Sequence, residues 1–189
     1  MRIINEEKVK RILESEEVSI DLGCGGSIHG ENTIGIDISS DTSADIIGNI
    51  AFEKLPFDNS SVDKIFIYDF IEHIPFMIWE PKEDGMSRKL VMIELFNEMY
   101  RVLKDNGSII ISVPFSDTGM FNREIFQDPT HASFWTPETF NYFTGNYYGF
   151  HDVYGHTSRF HKKSIIINGT HLLAEIVADK NTTGEYLVD

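Results

Sequence analysis

Apolar positions along the chain follow two patterns, and together they predict an α/β protein. Short continuous runs, such as residues 18–22 and 62–68, are rich in β-branched and aromatic residues and predict buried strands. Residues 89–104 instead repeat apolar side chains three and four positions apart, which predicts a helix with one buried face. The predicted elements, in chain order, are a helix at 5–15, strands at 18–22, 33–38, 44–47 and 62–68, a helix at 89–104, a strand at 108–113, a helix at 137–143, and two late strands within 149–168 and 172–178.

Glycine and acidic residues gather where the first two predicted strands end. The first strand runs into the turn at residues 23–26 (GCGG), and the second strand ends in Asp37. Apolar strands that alternate with helices predict a parallel sheet with helices on both faces, and such sheets bind ligands beyond the carboxyl ends of their strands. Glycine lets a ligand approach backbone N–H groups, and a carboxylate accepts hydrogen bonds from both hydroxyls of a ribose. The pattern therefore predicts a site for an adenosine-containing small molecule.

Length and charge narrow the classes of protein that fit. The 189 residues contain no repeat and no low-complexity linker, which predicts a single domain at 1–189. Acidic residues outnumber basic ones 30 to 16, and the net charge of −14 disfavours a nucleic-acid partner. No apolar stretch approaches the ~18 residues of a membrane span, and the first residues lack the apolar core of a secretory signal. The single cysteine permits no internal disulfide, so we expect a cytoplasmic location and no membrane partner.

Four segments resemble the motifs of one enzyme family. They are residues 21–26 (DLGCGG), Asp37, residues 55–63 (LPFDNSSVD) and residues 101–107 (RVLKDNG). In this order and spacing the chain resembles the class I S-adenosylmethionine-dependent methyltransferases, in particular the branch that acts on small molecules. The resemblance covers residues 18–115 and is looser beyond them.

The resemblance implies both a fold and a reaction. The expected fold is α/β and Rossmann-like, with a seven-stranded, mostly parallel sheet, an antiparallel end and helices on both faces. The first crossover is shortened, because only residues 27–33 separate the glycine turn from the second strand. The implied cofactor is S-adenosylmethionine, and the implied reaction transfers its methyl group to an oxygen or nitrogen of a small-molecule acceptor. We expect a monomer or a homodimer.

The same resemblance assigns a cofactor site by position. The backbone of the glycine turn would approach the methionine and ribose portions, Asp37 would hold the ribose, and Asp21 would orient the amino group. Asn49 stands where the family often has an aspartate for the adenine amino group, and an amide oxygen accepts that hydrogen bond as well. The implied cofactor-binding residues are Asp21, Gly23, Cys24, Gly25, Asp37, Ile38, Asn49, Ile50 and Asp69.

Two histidines are the candidates for catalysis. His73 ends the cluster Asp69-Phe-Ile-Glu72-His73, and His131 lies in the loop after the fifth predicted strand. Asp69, Glu72 and His73 would share one face of a helix and hold a divalent ion, as a similar pattern does in quinone-type O-methyltransferases. The favoured alternative is a capping box, which needs no metal. For His131 the alternatives are proton acceptance from the acceptor and a hydrogen bond within its own loop.

Two long connections are candidate lids or acceptor loops, at residues 76–88 and 116–135. The first contains several aromatic residues, which suits either a lid that excludes water or a surface insertion at a dimer contact.

Two other functions remain as alternatives. One is a non-catalytic S-adenosylmethionine-binding subunit that regulates or accompanies a partner, favoured by the shortened crossover and the lack of an unambiguous base. The other is a nicotinamide-dependent oxidoreductase, which the sequence disfavours because Ile28 stands at the third glycine position of the usual motif.

Overall fold

The computed structural model describes residues 1–115, 123–145 and 151–181, without the side chains of residues 123, 124, 151 and 152. The strands are β1 (Arg2–Ile3), β2 (Ser19–Leu22), β3 (Thr33–Asp37), β4 (Ile46–Ile47), β5 (Val62–Tyr68), β6 (Ile78–Lys82), β7 (Gly85–Lys89), β8 (Leu103–Pro114), β9 (Phe160–Asn168) and β10 (His171–Ala178). The helices are α1 (Glu6–Leu13), α2 (Val91–Val102), α3 (Arg123–Phe126), α4 (Pro137–Phe143) and α5 (His151–Tyr154), with a 3-10 turn at Ile71–His73.

Eight of the described strands form one mixed sheet in the order β1-β4-β3-β2-β5-β8-β10-β9. The five central strands, from β4 to β8, pair in parallel. β10 joins β8 antiparallel, and β9 joins β10 antiparallel, which confirms the antiparallel end. The prediction of seven strands missed β1, which pairs antiparallel with β4 at the far edge. Two residues are too few to show an alternation of polar and apolar positions, so no sequence pattern marks this strand.

The crossovers between the parallel strands are unusually poor in helix. Throughout residues 1–115, all of which the structure describes, α2 is the only α-helix that connects two of the five parallel strands. The shortened first crossover is therefore confirmed, and the connections at 38–45 and 48–61 also lack a helix. In the connection at 48–61, hydrogen bonds from a side chain of α2 hold the loop in place. Arg101 of α2 donates to the carbonyl oxygens of Leu55 and Phe57, at 3.0 and 2.9 Å.

The two faces of the sheet are covered unequally as a result. Ile65 and Ile67 of β5 are fully buried, as are Ile109 and Ile111 of β8. The alternate residues of β5 point to the other face, and Phe66 there is only half-buried. The strands therefore read as apolar runs at their centre, while one face retains partial access to solvent. No described helix has the length and apolar character needed to cross a membrane.

Candidate functional site

The glycine turn lies against the end of the neighbouring strand, at the carboxyl edge of the sheet. Gly23 and Gly25 adopt φ values of +72° and +53°, a region that side chains strain to occupy. The backbone N–H of Gly23 donates to the carbonyl oxygen of Ile36 at 2.8 Å. The N–H of Gly25 donates to Oδ2 of Asp37 at 3.0 Å. The predicted meeting of the turn with this carboxylate is therefore present in the structure.

Asp37 is held in place by its own strand end. Its Oδ1 accepts the N–H of Ser39 at 2.9 Å, and its backbone oxygen accepts the N–H of Gly48 at 2.9 Å. Ile38 follows with 66% of its surface exposed, an unusual position for an isoleucine. The carboxylate therefore faces the glycine turn and has an exposed apolar side chain beside it.

Only part of the glycine turn presents bare backbone. A Cβ placed on Gly23 would lie 2.1 Å from the ring of Phe70, so this ring already fills the space. Nothing lies within 4 Å of a Cβ placed on Gly25 or Gly26. The expectation of open backbone throughout the turn is thus corrected: Gly23 serves the packing of Phe70, and the open cradle is at Gly25 and Gly26.

Asp21 is committed to a contact that the sequence did not suggest. Its Oδ2 accepts hydrogen bonds from the backbone N–H and Nδ1 of His29, at 2.7 and 3.0 Å. The imidazole of His29 in turn stacks on Tyr68, with 4.3 Å between the ring centres. Burial raises the pKa of Asp21, and Oδ1 is buried without a hydrogen-bond partner. Asp21 and His29 thus anchor the short crossover in place of a helix.

The thiol of Cys24 is not a candidate nucleophile. Its thiol is buried, and burial together with three nearby carboxylates raises the pKa of the thiol to about 12. A thiol with so high a pKa stays protonated near neutral pH and is a poor nucleophile.

Asn49 and Ile50 lie close to Asp37, because they follow Gly48, which bonds to its backbone. The side-chain oxygen of Asn49 accepts a hydrogen bond from the N–H of Ala51 at 3.2 Å. The backbone N–H of Asn49 donates to the carboxylate of Glu53 at 2.6 Å. Ile50 is buried. The amide of Asn49 therefore closes a local turn near Asp37.

Asp69 lies apart from Glu72 and His73, with which the sequence pattern grouped it. It has a φ of +47°, and its Oδ1 lies 3.1 Å from Nε2 of His171 on β10. The turn at residues 71–73 has no side-chain cap, so the capping-box interpretation is wrong. The sequence also predicted Asp69, Glu72 and His73 as ligands of one metal ion. The fold does not bring these three side chains together.

The residues that do converge are Glu72, His73 and His131. One carboxylate oxygen and one nitrogen from each imidazole lie within 4.8 Å of one another. The two imidazole rings meet edge to face, with 4.9 Å between their centres. Backbone bonds create this contact, since the carbonyl oxygen of Glu72 accepts the N–H groups of Ala132 and Ser133 at 2.7 and 2.9 Å.

Glu72 is the acid of this cluster, and its pKa is strongly raised. Its side chain is buried, and Oε2 has no hydrogen-bond partner. Burial is the main cause that raises the pKa of Glu72 to about 7, with a smaller contribution from the negative charges of Asp69 and Asp128; a hydrogen bond to its own backbone N–H and the nearby His131 act in the opposite direction. An acid with this pKa exchanges a proton near neutral pH, which is the property that general acid–base chemistry needs.

For His131 the structure shows the hydrogen bond that one of the two alternatives predicted, and the role in proton transfer stays a prediction. Its Nδ1 lies 2.8 Å from the carbonyl oxygen of Ile125, so it bonds within its own loop. Its ring nevertheless faces His73 across the cluster. Three residues that support the site were not predicted from the sequence, namely His29, Phe70 and Thr130. For Thr130 the one signal in the sequence was the polar turn Asp-Pro-Thr at residues 128–130.

The two candidate loops differ in what the structure describes. Residues 76–88 lie largely in the hairpin of β6 and β7, whose Trp79 and Met86 are 60% and 61% exposed. Phe76 packs beside Trp135, with 5.6 Å between ring centres. Of the second loop, residues 116–122 lie outside the described residues. Its described part ends in the segment that carries His131.

A separate cleft of about 560 Å³ opens at the opposite edge of the sheet. It is lined by Ser19 at the start of β2, by Lys64 near the start of β5, and by Glu31 and Asn32, which precede β3. Ligands of parallel sheets bind at the carboxyl ends of strands, so this cleft is not the candidate site.

Comparisons with known proteins agree with the geometry. Residues 20–111 match the family profile described as a methyltransferase domain, whereas no curated protein matches the chain. The chain is similar to the S-adenosylmethionine-dependent methyltransferase of Archaeoglobus fulgidus, with 16% identity, a TM-score of 0.54 and coverage of 91% of this chain and 90% of that one.

Two further solved structures show the same fold. One is geranyl diphosphate C-methyltransferase of Streptomyces coelicolor, solved with Mg²⁺, geranyl-S-thiolodiphosphate and S-adenosylhomocysteine (12% identity, TM-score 0.56, 91% of this chain and 74% of that one). The other belongs to a complex of the Haloferax volcanii Trm112 methyltransferase activator with a methyltransferase (14% identity, TM-score 0.57, 93% and 90%). The fold is therefore that of the class I methyltransferases. The match of residues 20–111 to a methyltransferase domain also argues against the nicotinamide alternative.

Proposed function

We propose that this chain binds S-adenosylmethionine and transfers its methyl group to an oxygen or nitrogen of a small-molecule acceptor. The observation that carries the proposal is the contact between Asp37 and the N–H of Gly25, at the carboxyl edge of a class I methyltransferase sheet. A carboxylate that already accepts hydrogen bonds at this position can accept those of ribose hydroxyls.

The chain's own residues fit the donor. The open backbone at Gly25 and Gly26 leaves room for a nucleoside, and the exposed side chain of Ile38 offers an apolar surface for adenine. The negative charge of the chain favours a cationic donor. When bound, S-adenosylmethionine supplies a methyl group that is already activated as part of a sulfonium.

Proton transfer from the acceptor is the task we assign to the cluster of Glu72, His73 and His131. Phe70 connects the two regions, because its ring covers Gly23 while Glu72 follows two residues later. A general base placed in this way contributes about 10²–10⁴-fold to a rate. The acceptor is therefore expected to carry a hydroxyl or amine proton that must be removed.

Calorimetric titration tests the donor site. We expect wild-type protein to bind S-adenosylmethionine and S-adenosylhomocysteine, and Asp37→Asn to weaken binding by about 10–100-fold, because a charged hydrogen-bond acceptor is lost. Asp41→Asn is the matched control, since Asp41 is an exposed carboxylate in the same loop. Folded wild-type protein that binds neither compound refutes the proposal, and equal affinity of the two variants refutes the role of Asp37.

A non-catalytic, donor-binding subunit is the second candidate function. The observation that favours it is the lack of crossover helices between β2 and β5. One structural neighbour was also solved in a complex with an activator. Mass spectrometry of reactions with a panel of hydroxyl and amine acceptors separates the two candidates, because one methylated product defeats the second. The panel should be run with the chain alone as monomer or homodimer.

A further inference from the structure

Glu72, His73 and His131, to which the proposed function assigns proton transfer, are also a set of side chains whose ligand types suit a metal ion. They come from two segments, the 3-10 turn after β5 and the loop that follows α3. Donor atoms bound to one ion lie about 3–4 Å apart when each bond is about 2.1 Å. The three potential ligand atoms lie within 4.8 Å of one another, so small side-chain movements bring them onto a common ion.

Hydrogen bonds occupy the same nitrogen, Nδ1, in both imidazoles. Nδ1 of His131 bonds to the carbonyl oxygen of Ile125 at 2.8 Å, and a carbonyl only accepts, so Nδ1 carries the proton. Thr130 donates its hydroxyl to Asp128 at 2.6 Å and therefore accepts from Nδ1 of His73 at 2.9 Å. In the neutral form of each ring, Nε2 is then the nitrogen that is free to bind a metal. Metal-binding histidines are oriented by partners of this kind.

The third ligand is a buried oxygen that lacks a partner. Oε2 of Glu72 has no hydrogen bond, and the side chain is 3% exposed. Leaving a buried carboxylate oxygen unpaired is costly, and a cation would offset that cost.

The geometry points to a binding site for one divalent transition-metal ion, held by Glu72, His73 and His131. Two imidazoles and one carboxylate suit borderline ions such as Zn²⁺ better than Mg²⁺, which prefers oxygen ligands. Three protein ligands leave coordination positions for water or for an oxygen atom of another molecule. This set differs from the grouping of Asp69 with Glu72 and His73, because Asp69 pairs with His171.

Zn²⁺ itself is the probe. The full chain is freed of metal with EDTA, exchanged into chelator-free buffer and titrated calorimetrically with Zn²⁺. We expect one equivalent to bind, and Glu72→Gln, His73→Ala and His131→Ala to weaken binding at least about tenfold each. Substitution with Co²⁺ gives a second readout, visible absorption bands that are present in wild-type protein and lost in His131→Ala. Circular dichroism verifies folding, and His131→Gln replaces the alanine variant if that variant does not fold.

Two matched controls separate this site from adventitious binding. His171→Ala removes a histidine outside the cluster, and Asp69→Asn removes the acid that the sequence pattern would have chosen. We expect His171→Ala to keep wild-type affinity within about twofold, because its side chain does not belong to the converging set, and Asp69→Asn to lose clearly less affinity than Glu72→Gln, because only its charge acts on the cluster. The inference is overturned if wild-type protein binds no Zn²⁺, if the histidine variants bind as wild type does, or if Asp69→Asn loses as much affinity as Glu72→Gln. Neither donor nor acceptor is present, so the outcome is independent of methyl transfer.

Discussion

Removing the charge of Glu72 is expected to change how the stability of the metal-free protein depends on pH. Burial raises the pKa of this acid from 4.5 to about 7 in the folded state. Between these values the folded state holds a proton that the unfolded state has lost, so stability falls as pH rises. The full difference corresponds to about 3 kcal/mol at 1.36 kcal/mol per pH unit. About 2 kcal/mol of this falls between about pH 5.5 and about pH 8.

Urea unfolding in the presence of EDTA measures this effect. Glu72→Gln keeps the size of the side chain and abolishes its ionisation, so the variant is expected to become more stable relative to wild type by about 2 kcal/mol as pH rises over that range. Glu83→Gln, on the exposed turn between β6 and β7, is the matched control and should follow wild type. A constant difference between Glu72→Gln and wild type across the range refutes the reasoning.

Three substitutions are expected to lower the free energy of unfolding, each measured by urea denaturation. Gly23→Ala should cost about 2–4 kcal/mol, because the new Cβ collides with Phe70 at a positive φ; a cost below about 1 kcal/mol contradicts this. Arg101→Ala should cost about 2–3 kcal/mol through the loop carbonyls it leaves unpaired, and Arg101→Lys should recover less than half. Asp45→Ala should cost about 3 kcal/mol, since its buried carboxylate accepts a hydrogen bond from Lys8 at 2.7 Å. Wild-type stability of Arg101→Ala or of Asp45→Ala would contradict the stabilising role given to that side chain.

The fold was largely predictable because its central strands are determined by local pattern. β5 matches the predicted range of 62–68, and β2 and β3 begin or end within one residue of their predicted bounds. A strand buried at the centre of a parallel sheet must be apolar along its length, so its limits can be read from the chain. β1 and the hairpin of β6 and β7 escaped prediction because short or exposed strands lack that requirement.

The contact between the glycine turn and Asp37 was predictable for a related reason. Gly25 and Asp37 lie directly at the ends of adjacent parallel strands, and the carboxyl ends of such strands meet at one edge. Their contact therefore follows from the order of elements and needs no knowledge of side-chain packing. The loss of open backbone at Gly23 did need it, because the ring that fills the space comes from Phe70, after β5.

The sequence by itself determined the sheet, the glycine turn and the carboxylate at its edge, since each depends on local pattern and on strand order. Only the tertiary structure decided which acid accompanies His73. Asp69 is close to His73 in sequence, yet its backbone has a positive φ and its carboxylate pairs with His171 on β10. His131 is distant in sequence, yet backbone bonds from its loop to Glu72 bring it into contact. Side-chain clusters of this kind depend on how loops pack, and no local pattern encodes that packing.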